Sequence, residues 1–313
     1  MTTLSQEDDV LVKIPKPWAL PDSHASDEAV FLGRRSFLRT AALATAATAL
    51  PPSLMAAPSL YPARRNEKYE LDRPLTEESV AARMNIFDEL TLKHDEVWKV
   101  AKGFATTPWT IHIGGAVQKH ITIDAEELAR KLGVEERLYR HRCVEAWSMA
   151  VPWTGIPLAR LVELAQPLAK AKYLRMVSLA SPEKLPGWYA SKRVFPYYEA
   201  LTIAEATNEL AMLATGIYGH ALPPQHGAPI RLVVPWKYGL KSIKSIVSFQ
   251  FTTEKPGTFW NDLSPANYTF ECNVEPNVPR PWPQTEETVL GTGETRKTLL
   301  YNGYAEQVAH LYA

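Results

Sequence analysis

Ile111 and Ile113, then Ile121 and Ile123, stand at alternate positions on either side of Gly114-Gly115. This period of two predicts a β-hairpin over 109–123. Asp124 follows with Glu127 three residues on, a capping-box pattern that predicts a helix running to Leu132. Further strands are predicted over 136–142, 172–179, 211–217, 230–234 and 245–252, with Cys143 at the end of the first. Helices are predicted over 157–165, with Pro157 in its first turn, and over 203–210. Helical stretches within 76–101 break near Asn85, and 59–73 reads as a polar, extended arm. No repeat, low-complexity stretch or internal linker interrupts residues 58–313, so the expected fold is α+β, one domain with mixed β-sheets and peripheral helices.

The first 57 residues do not belong to that pattern. Gly33-Arg34-Arg35-Ser36-Phe37-Leu38-Arg39 precedes a soft apolar run over 40–50 and then Pro51-Pro52. The run is mostly Ala and Thr, well short of the roughly 20 apolar residues a spanning helix needs. It reads as a twin-arginine export signal, cleaved among residues 53–58. Residues 1–57 are thus expected to be a signal peptide read by the twin-arginine translocation machinery. Residues 58–313 are expected to reach the periplasm already folded.

Five of the 34 basic and six of the 34 acidic residues precede position 58, leaving 29 and 28 in the remainder. That balance argues against nucleic acid as a partner. Two cysteines, Cys143 and Cys272, leave two readings open: a single disulfide in an oxidising compartment, or a functional thiol.

Three segments could carry chemistry. In Tyr139-Arg140-His141-Arg142-Cys143-Val144-Glu145 a thiol sits among cationic side chains, which favour thiolate, the metal-binding form. The stretch 219–232 is stiffened by prolines around Gly227, a residue that permits close backbone approach, and delivers His226 and Arg231 beside a strand. The stretch 235–246 holds Lys237, Lys241 and Lys244 with Gly239, a set suited to a phosphate. Solvated turns and charged strand edges are the competing readings. No P-loop, GxGxxG, HExxH, CxxC or GxSxG pattern occurs, which removes the sequence support for a nucleotide fold, a zinc site or a serine hydrolase.

Arg142-Cys143-Val144-Glu145-Ala146-Trp147-Ser148-Met149 with Val151-Pro152-Trp153 resembles the metal-ligand segment of the MsrP family. That family comprises the catalytic subunits of the periplasmic protein-methionine-sulfoxide reductase, within the sulfite-oxidase-fold molybdoenzymes. Ala221-Leu222-Pro223-Pro224-Gln225 with Gly227-Ala228-Pro229, Val234-Pro235-Trp236-Lys237-Tyr238-Gly239, Ile243-Lys244-Ser245-Ile246 and Asn302-Gly303-Tyr304-Ala305 resemble it in the same order. The resemblance spans residues 58–313 and the signal.

The resemblance implies a single sulfite-oxidase-type molybdopterin-binding domain. It implies a molybdenum–molybdopterin cofactor in its mononucleotide-free form, with Cys143 as the metal ligand and catalytic residue. By the same likeness the pterin is bound by Asn85, Asp88, Glu89, Ser178, His226, Arg231, Ser242, Ile243 and Lys244. Arg231, Lys244 and the backbone around Ser242 would face the cofactor phosphate. Other members have Thr at the Ser178 position and can have Asn at that of His226, and Asp88 varies, which points to a backbone contact there. Cys272 has no counterpart role and is expected to be a structural free thiol. The implied reaction is reduction of methionine sulfoxide in oxidised periplasmic proteins. Electrons would come from the respiratory chain through a membrane haem-binding subunit, MsrQ. Trp147, Trp153, Trp188 and Trp236 are candidates for the rim of the site, with core packing the alternative for each. A sulfite-oxidising enzyme of the same fold and a cofactor-binding module without turnover are the rival functions. The first is disfavoured because no dimerisation or haem domain is read in the chain.

Overall fold

The computed structural model describes residues 58–187 and 195–313. The Arg34-Arg35 signal and Trp188 lie outside the described residues. The strands in chain order are β1 (Thr110–Gly115), β2 (Ile121–Asp124), β3 (Glu135–Arg142), β4 (Trp147–Pro157), β5 (Tyr173–Ser178) and β6 (Tyr198–Thr202). They continue as β7 (Met212–Ile217), β8 (His220–Ala221), β9 (Arg231–Val233), β10 (Ile246–Thr252), β11 (Glu286–Val289) and β12 (Thr295–Lys297). The α-helices are short: α1 (Glu78–Ala81), α2 (Val97–Val100), α3 (Ala125–Leu132), α4 (Leu158–Ala165), α5 (Ile203–Thr207), α6 (Phe259–Leu263) and α7 (Ala305–Val308). The α+β expectation holds, with mixed sheets and peripheral helices.

One sheet runs β2-β1-β10-β5-β6. Its hairpin is the one the isoleucines predict, with Ile111 opposite Ile123 and Ile113 opposite Ile121. Ile111 and Ile113 are buried, while His112 on the other face is exposed. On its other side β1 pairs in parallel with β10, His112 opposite Ser248. Asp124 closes the hairpin and starts α3, its carboxylate accepting from the amides of Glu126 and Trp109 at 2.8 and 3.2 Å. The helix expected over 203–210 stops at Thr207, because Asn208 turns extended and its side chain accepts the Leu210 amide at 3.0 Å.

The second sheet is organised around β4, which the sequence pattern did not reveal. All its residues except Pro157 are buried, Ser148 and Thr154 included, so it shows no alternation. β3 pairs antiparallel along its whole length, from Glu135 opposite Gly155 to Arg142 opposite Ser148. The other edge is shared, β11 taking Trp147 and Ser148 in parallel and β7 taking 153–157 antiparallel. Pro152 falls between those two stretches, where its missing N–H breaks neither ladder on that edge. A register shift between Thr154 and Gly155 brings the Leu213 carbonyl to 2.1 Å from where a Cβ on Gly155 would lie. Only glycine fits there.

Both cysteines are free and buried, so the disulfide reading fails. The Cys272 thiol donates to the Thr269 carbonyl at 2.9 Å. No helix among the described residues is long and apolar enough to cross a membrane.

Candidate active site

Cys143 sits on the tight turn between β3 and β4. Its amide donates to the Trp147 carbonyl at 2.9 Å and its carbonyl accepts the Ala146 amide at 3.2 Å. Ala146 takes the left-handed conformation, φ 66°, that closes such a hairpin loop. The Glu145 amide points at the Cys143 sulfur, 3.5 Å away.

The thiol lines a cavity of about 220 Å³. The same walls include Asn85, Asp88, Glu89, His226, Arg231, Ser242, Ile243 and Lys244. Nine of the ten sequence-expected site residues therefore converge from segments far apart in the chain. Ser178 is the exception: it ends β5, pairs with Ile246 and is buried outside the lining, its hydroxyl without a partner among the described residues.

The cationic end of the cavity is formed by Arg231 and Lys244. Arg231 is buried and donates only to carbonyls, those of His226 at 2.9 Å, Ser242 at 3.1 Å and Leu232 at 3.3 Å. Among the described residues no carboxylate pairs with it, and burial alone pulls its pKa down to about 9. Its guanidinium lies 5.0 Å over the Trp153 ring, whose buried indole N–H has no acceptor among the described residues. Lys244 is pressed against Gly227, where a Cβ would fall 2.5 Å from the lysine side chain. Gly227 has φ 95°, so glycine is required there on both counts. Burial, and then Arg231, lower the proton affinity of Lys244, while Glu89 opposes them.

Two sequence expectations about this end are corrected. The amides of Ser242 and Ile243 are committed to the carbonyls of Gly239 and Lys241, both at 3.0 Å. The Lys244 amide has no acceptor among the described residues and is the backbone donor that remains. Lys237 and Lys241 are not phosphate candidates, because each is buried against a carboxylate, Glu205 at 2.6 Å and Glu199 at 2.5 Å.

The cationic setting expected for Cys143 is outweighed by burial. Alternation along β3 points His141 into the cavity and turns Arg140 and Arg142 to the opposite face. There Arg140 meets Asp72 at 3.0 Å and Arg142 meets Glu287 at 3.2 Å. His141 does not supply the charge either: burial, then Arg231 and Lys244, drive its pKa down to about 3. Burial therefore dominates and pushes the Cys143 thiol up to about 12, against weaker opposing pulls from the Glu145 amide, Arg142 and Lys244. Without a metal the sulfur keeps its proton; binding one would remove it.

Trp147 and Trp153 line the cavity, whereas Trp236 is fully buried elsewhere and donates to the Tyr312 hydroxyl at 2.7 Å. Trp260, Tyr268, Trp282 and His94 line it too, and no motif in the sequence marks them. Trp282 is 38% exposed and marks the side where the cavity meets solvent. His94 lies 3.3 Å from Asp88 and 3.8 Å from Glu145.

A thiol and two cations on the walls of one cavity suit a group that carries both a soft metal and an anion. Molybdenum–molybdopterin is such a group, and the residues present fit it. The family comparison agrees. A family described as the oxidoreductase molybdopterin binding domain matches residues 98–260. The structure of the sulfane dehydrogenase SoxCD from Paracoccus pantotrophus is similar at 17% identity, with a TM-score of 0.44. That match covers 80% of this chain, which spans 61% of the SoxCD chain. More than half of the sequence thus falls within one family, and the chain belongs to the oxidoreductase molybdopterin-binding domain family, an oxidoreductase whose implied cofactor is molybdenum–molybdopterin.

Proposed function

We propose that this chain is the catalytic subunit of a periplasmic reductase that returns protein-bound methionine sulfoxide to methionine. The carrying observation is the cavity shared by the Cys143 thiol, Lys244 and the buried Arg231, whose guanidinium donates only to carbonyls. Cys143 would hold molybdenum. Arg231, Lys244 and the Lys244 amide would hold the phosphate of a pterin that carries no nucleotide. Asn85, Asp88, Glu89, His226, Ser242 and Ile243 would line the pterin, with Ser178 behind them.

When bound, the cofactor supplies the acceptor for the sulfoxide oxygen and the two electrons the reduction needs. Breaking the S–O bond with two electrons and two protons gives a thioether and water, so the balance requires an electron donor. We assign that role to a membrane haem partner of the MsrQ type, fed by the respiratory chain. The protein's part is positioning and exclusion. Trp147, Trp260, Tyr268 and Trp282 give an aromatic wall suited to an uncharged side chain. Asp88 and Glu145 stand on the same wall and disfavour an anion such as sulfite. That difference favours sulfoxide reduction over sulfite oxidation.

Purified protein should contain molybdenum and reduce methionine sulfoxide in an oxidised protein, with a low-potential dye as donor. Sulfite oxidation without sulfoxide reduction would overturn the assignment. Cys143→Ser should lose molybdenum and all reductase activity while its circular dichroism stays that of the parent. The periplasmic location rests on Arg34 and Arg35. Replacing both with lysine should leave precursor in the cytoplasm on fractionation, and normal export of that variant would remove the location from the proposal.

A further inference from the structure

We propose that the segment 284–298 is a positioning clamp for the turn that carries Cys143, and that Arg142 is the residue through which it acts. The proposal rests on the reading of Cys143 as the metal ligand. Three carbonyls of the turn are held by side chains and backbone around this segment. Arg142 Nη1 donates to the Cys143 carbonyl. Gln284 Nε2 donates to the Val144 carbonyl at 2.8 Å, and the Thr288 amide donates to the Ala146 carbonyl at 2.8 Å. Just beyond the turn the Leu290 amide donates to the Ser148 carbonyl at 2.9 Å.

Arg142 is itself fixed from 284–298 on several sides. Its Nε lies 3.2 Å from Glu287, and its Nη2 donates to the Glu286 carbonyl at 3.1 Å and the Thr298 hydroxyl at 3.2 Å. Glu287 also accepts from Arg73 at 2.9 Å. Arg73 pairs with Asp72, and Asp72 with Arg140, each at 3.0 Å. A row of alternating charges thus runs from the partly exposed Asp72 to a guanidinium touching the ligand's own carbonyl.

A turn that needs a left-handed alanine is disfavoured for any residue with a Cβ, so the loop does not hold this shape by itself. The direction of the Cys143 Cα–Cβ bond, and with it the sulfur position, follows from the turn's carbonyls being held. Groups behind a metal ligand orient it and tune the metal. The segment 284–298 lies outside 98–260, the region the family model matches, whereas Arg142 lies within it.

The deciding variant is Gln284→Ala, which removes the hydrogen bonds to the Val144 and Trp282 carbonyls and the 3.5 Å contact from Arg142 Nη2, and leaves every charged pair in place. Arg142→Lys and Arg142→Met form a second pair, in which lysine keeps the charge without the fork. In metal-free protein, Gln284→Ala should speed alkylation of Cys143 about 10-fold and leave Cys272 unchanged; in the loaded protein molybdenum retention should weaken about 10- to 100-fold. The paramagnetic spectrum of the half-reduced molybdenum should also shift, with Arg142→Lys nearer the parent than Arg142→Met. Tyr61→Phe, which removes a hydroxyl contact to the Thr215 carbonyl away from the turn, should move none of these. Parent-like thiol reactivity and spectrum in Gln284→Ala would overturn the clamp, whether or not the Arg142 variants fold. Full molybdenum retention in Cys143→Ala would instead overturn the ligand reading, and the metal-free alkylation rates would still judge the clamp.

Discussion

Two pairs of cations, all buried except the half-buried Lys244, lie within a few residues of one another and are treated in opposite ways. Lys237 and Lys241 each meet a carboxylate. Lys237 also reaches Asn273 at 2.8 Å and the Glu271 carbonyl at 2.9 Å, and Lys241 the carbonyls of Ala200 and Phe270 at 2.9 and 2.8 Å. Arg231 finds only carbonyls, and the Lys244 ammonium lies 5.5 Å over the Phe87 ring. A charge removed from water must be neutralised or it destabilises the fold. The first pair is neutralised by the chain itself and belongs to the architecture. The second is left for an anion to complete and belongs to the site.

The contrast breaks most visibly at Lys241. Lys241→Met strands Glu199 as a buried, unpaired carboxylate, and removing one partner of such a pair costs about 3–5 kcal/mol. Urea unfolding of the metal-free protein should show that loss. Arg231→Ala and Lys244→Ala should do the reverse, moving stability less and cofactor retention more. Each removes a charge-assisted contact worth about 1.5–3 kcal/mol, or about 10- to 100-fold in affinity. Molybdenum per chain after purification, with exposed Lys170→Ala as control, reads this effect; parent-like occupancy in both variants would place Lys244 and Arg231 with the architectural cations.

A smaller effect sharpens the comparison through pH. Burial raises the proton affinity of Glu205, but Lys237, the Tyr312 hydroxyl and the Thr202 amide outweigh it and hold the carboxyl below the usual range. A depressed carboxyl contributes stability that is complete above its unfolded value, about 4.3. That contribution is lost as pH falls through the folded value. Glu205→Gln should therefore be less stable than the parent at neutral pH, with the gap closing below about pH 4. A gap that widens in acid would show that Glu205 does not stabilise the fold as a charged partner.

Local signals were legible where one face of an element meets water. The isoleucines of β1 and β2 and the Asp124 cap could be read because burial alternates there. β4 could not, because both its faces are covered and a run without alternation fits a buried helix equally well. The three lysines of 235–246 looked equivalent in sequence. Only the fold brings Glu199 and Glu205 to two of them, from positions upstream of β7. The same limit hid Arg142, which reads as a cation for Cys143 until its partner Glu287 arrives from the far end of the chain. The thiol and the pterin-side residues were reached through motif resemblance, and local chemistry alone would have misjudged the charge around Cys143.

The parallel pairing of β1 with β10 also governs how the domain assembles. His112 and Ser248 are neighbours in the sheet, yet the whole of β3, β4 and β7 lies between them in the chain. Closing a loop of that size must precede any reward from the contacts it makes, which slows folding relative to a chain of local hairpins. Ser242, Ile243 and Lys244 lie just ahead of β10, so the cationic end of the cavity takes shape only as that distant strand docks. Until then the chain has no receptacle for its cofactor, and the slow closure sets the earliest moment at which the group can be taken up.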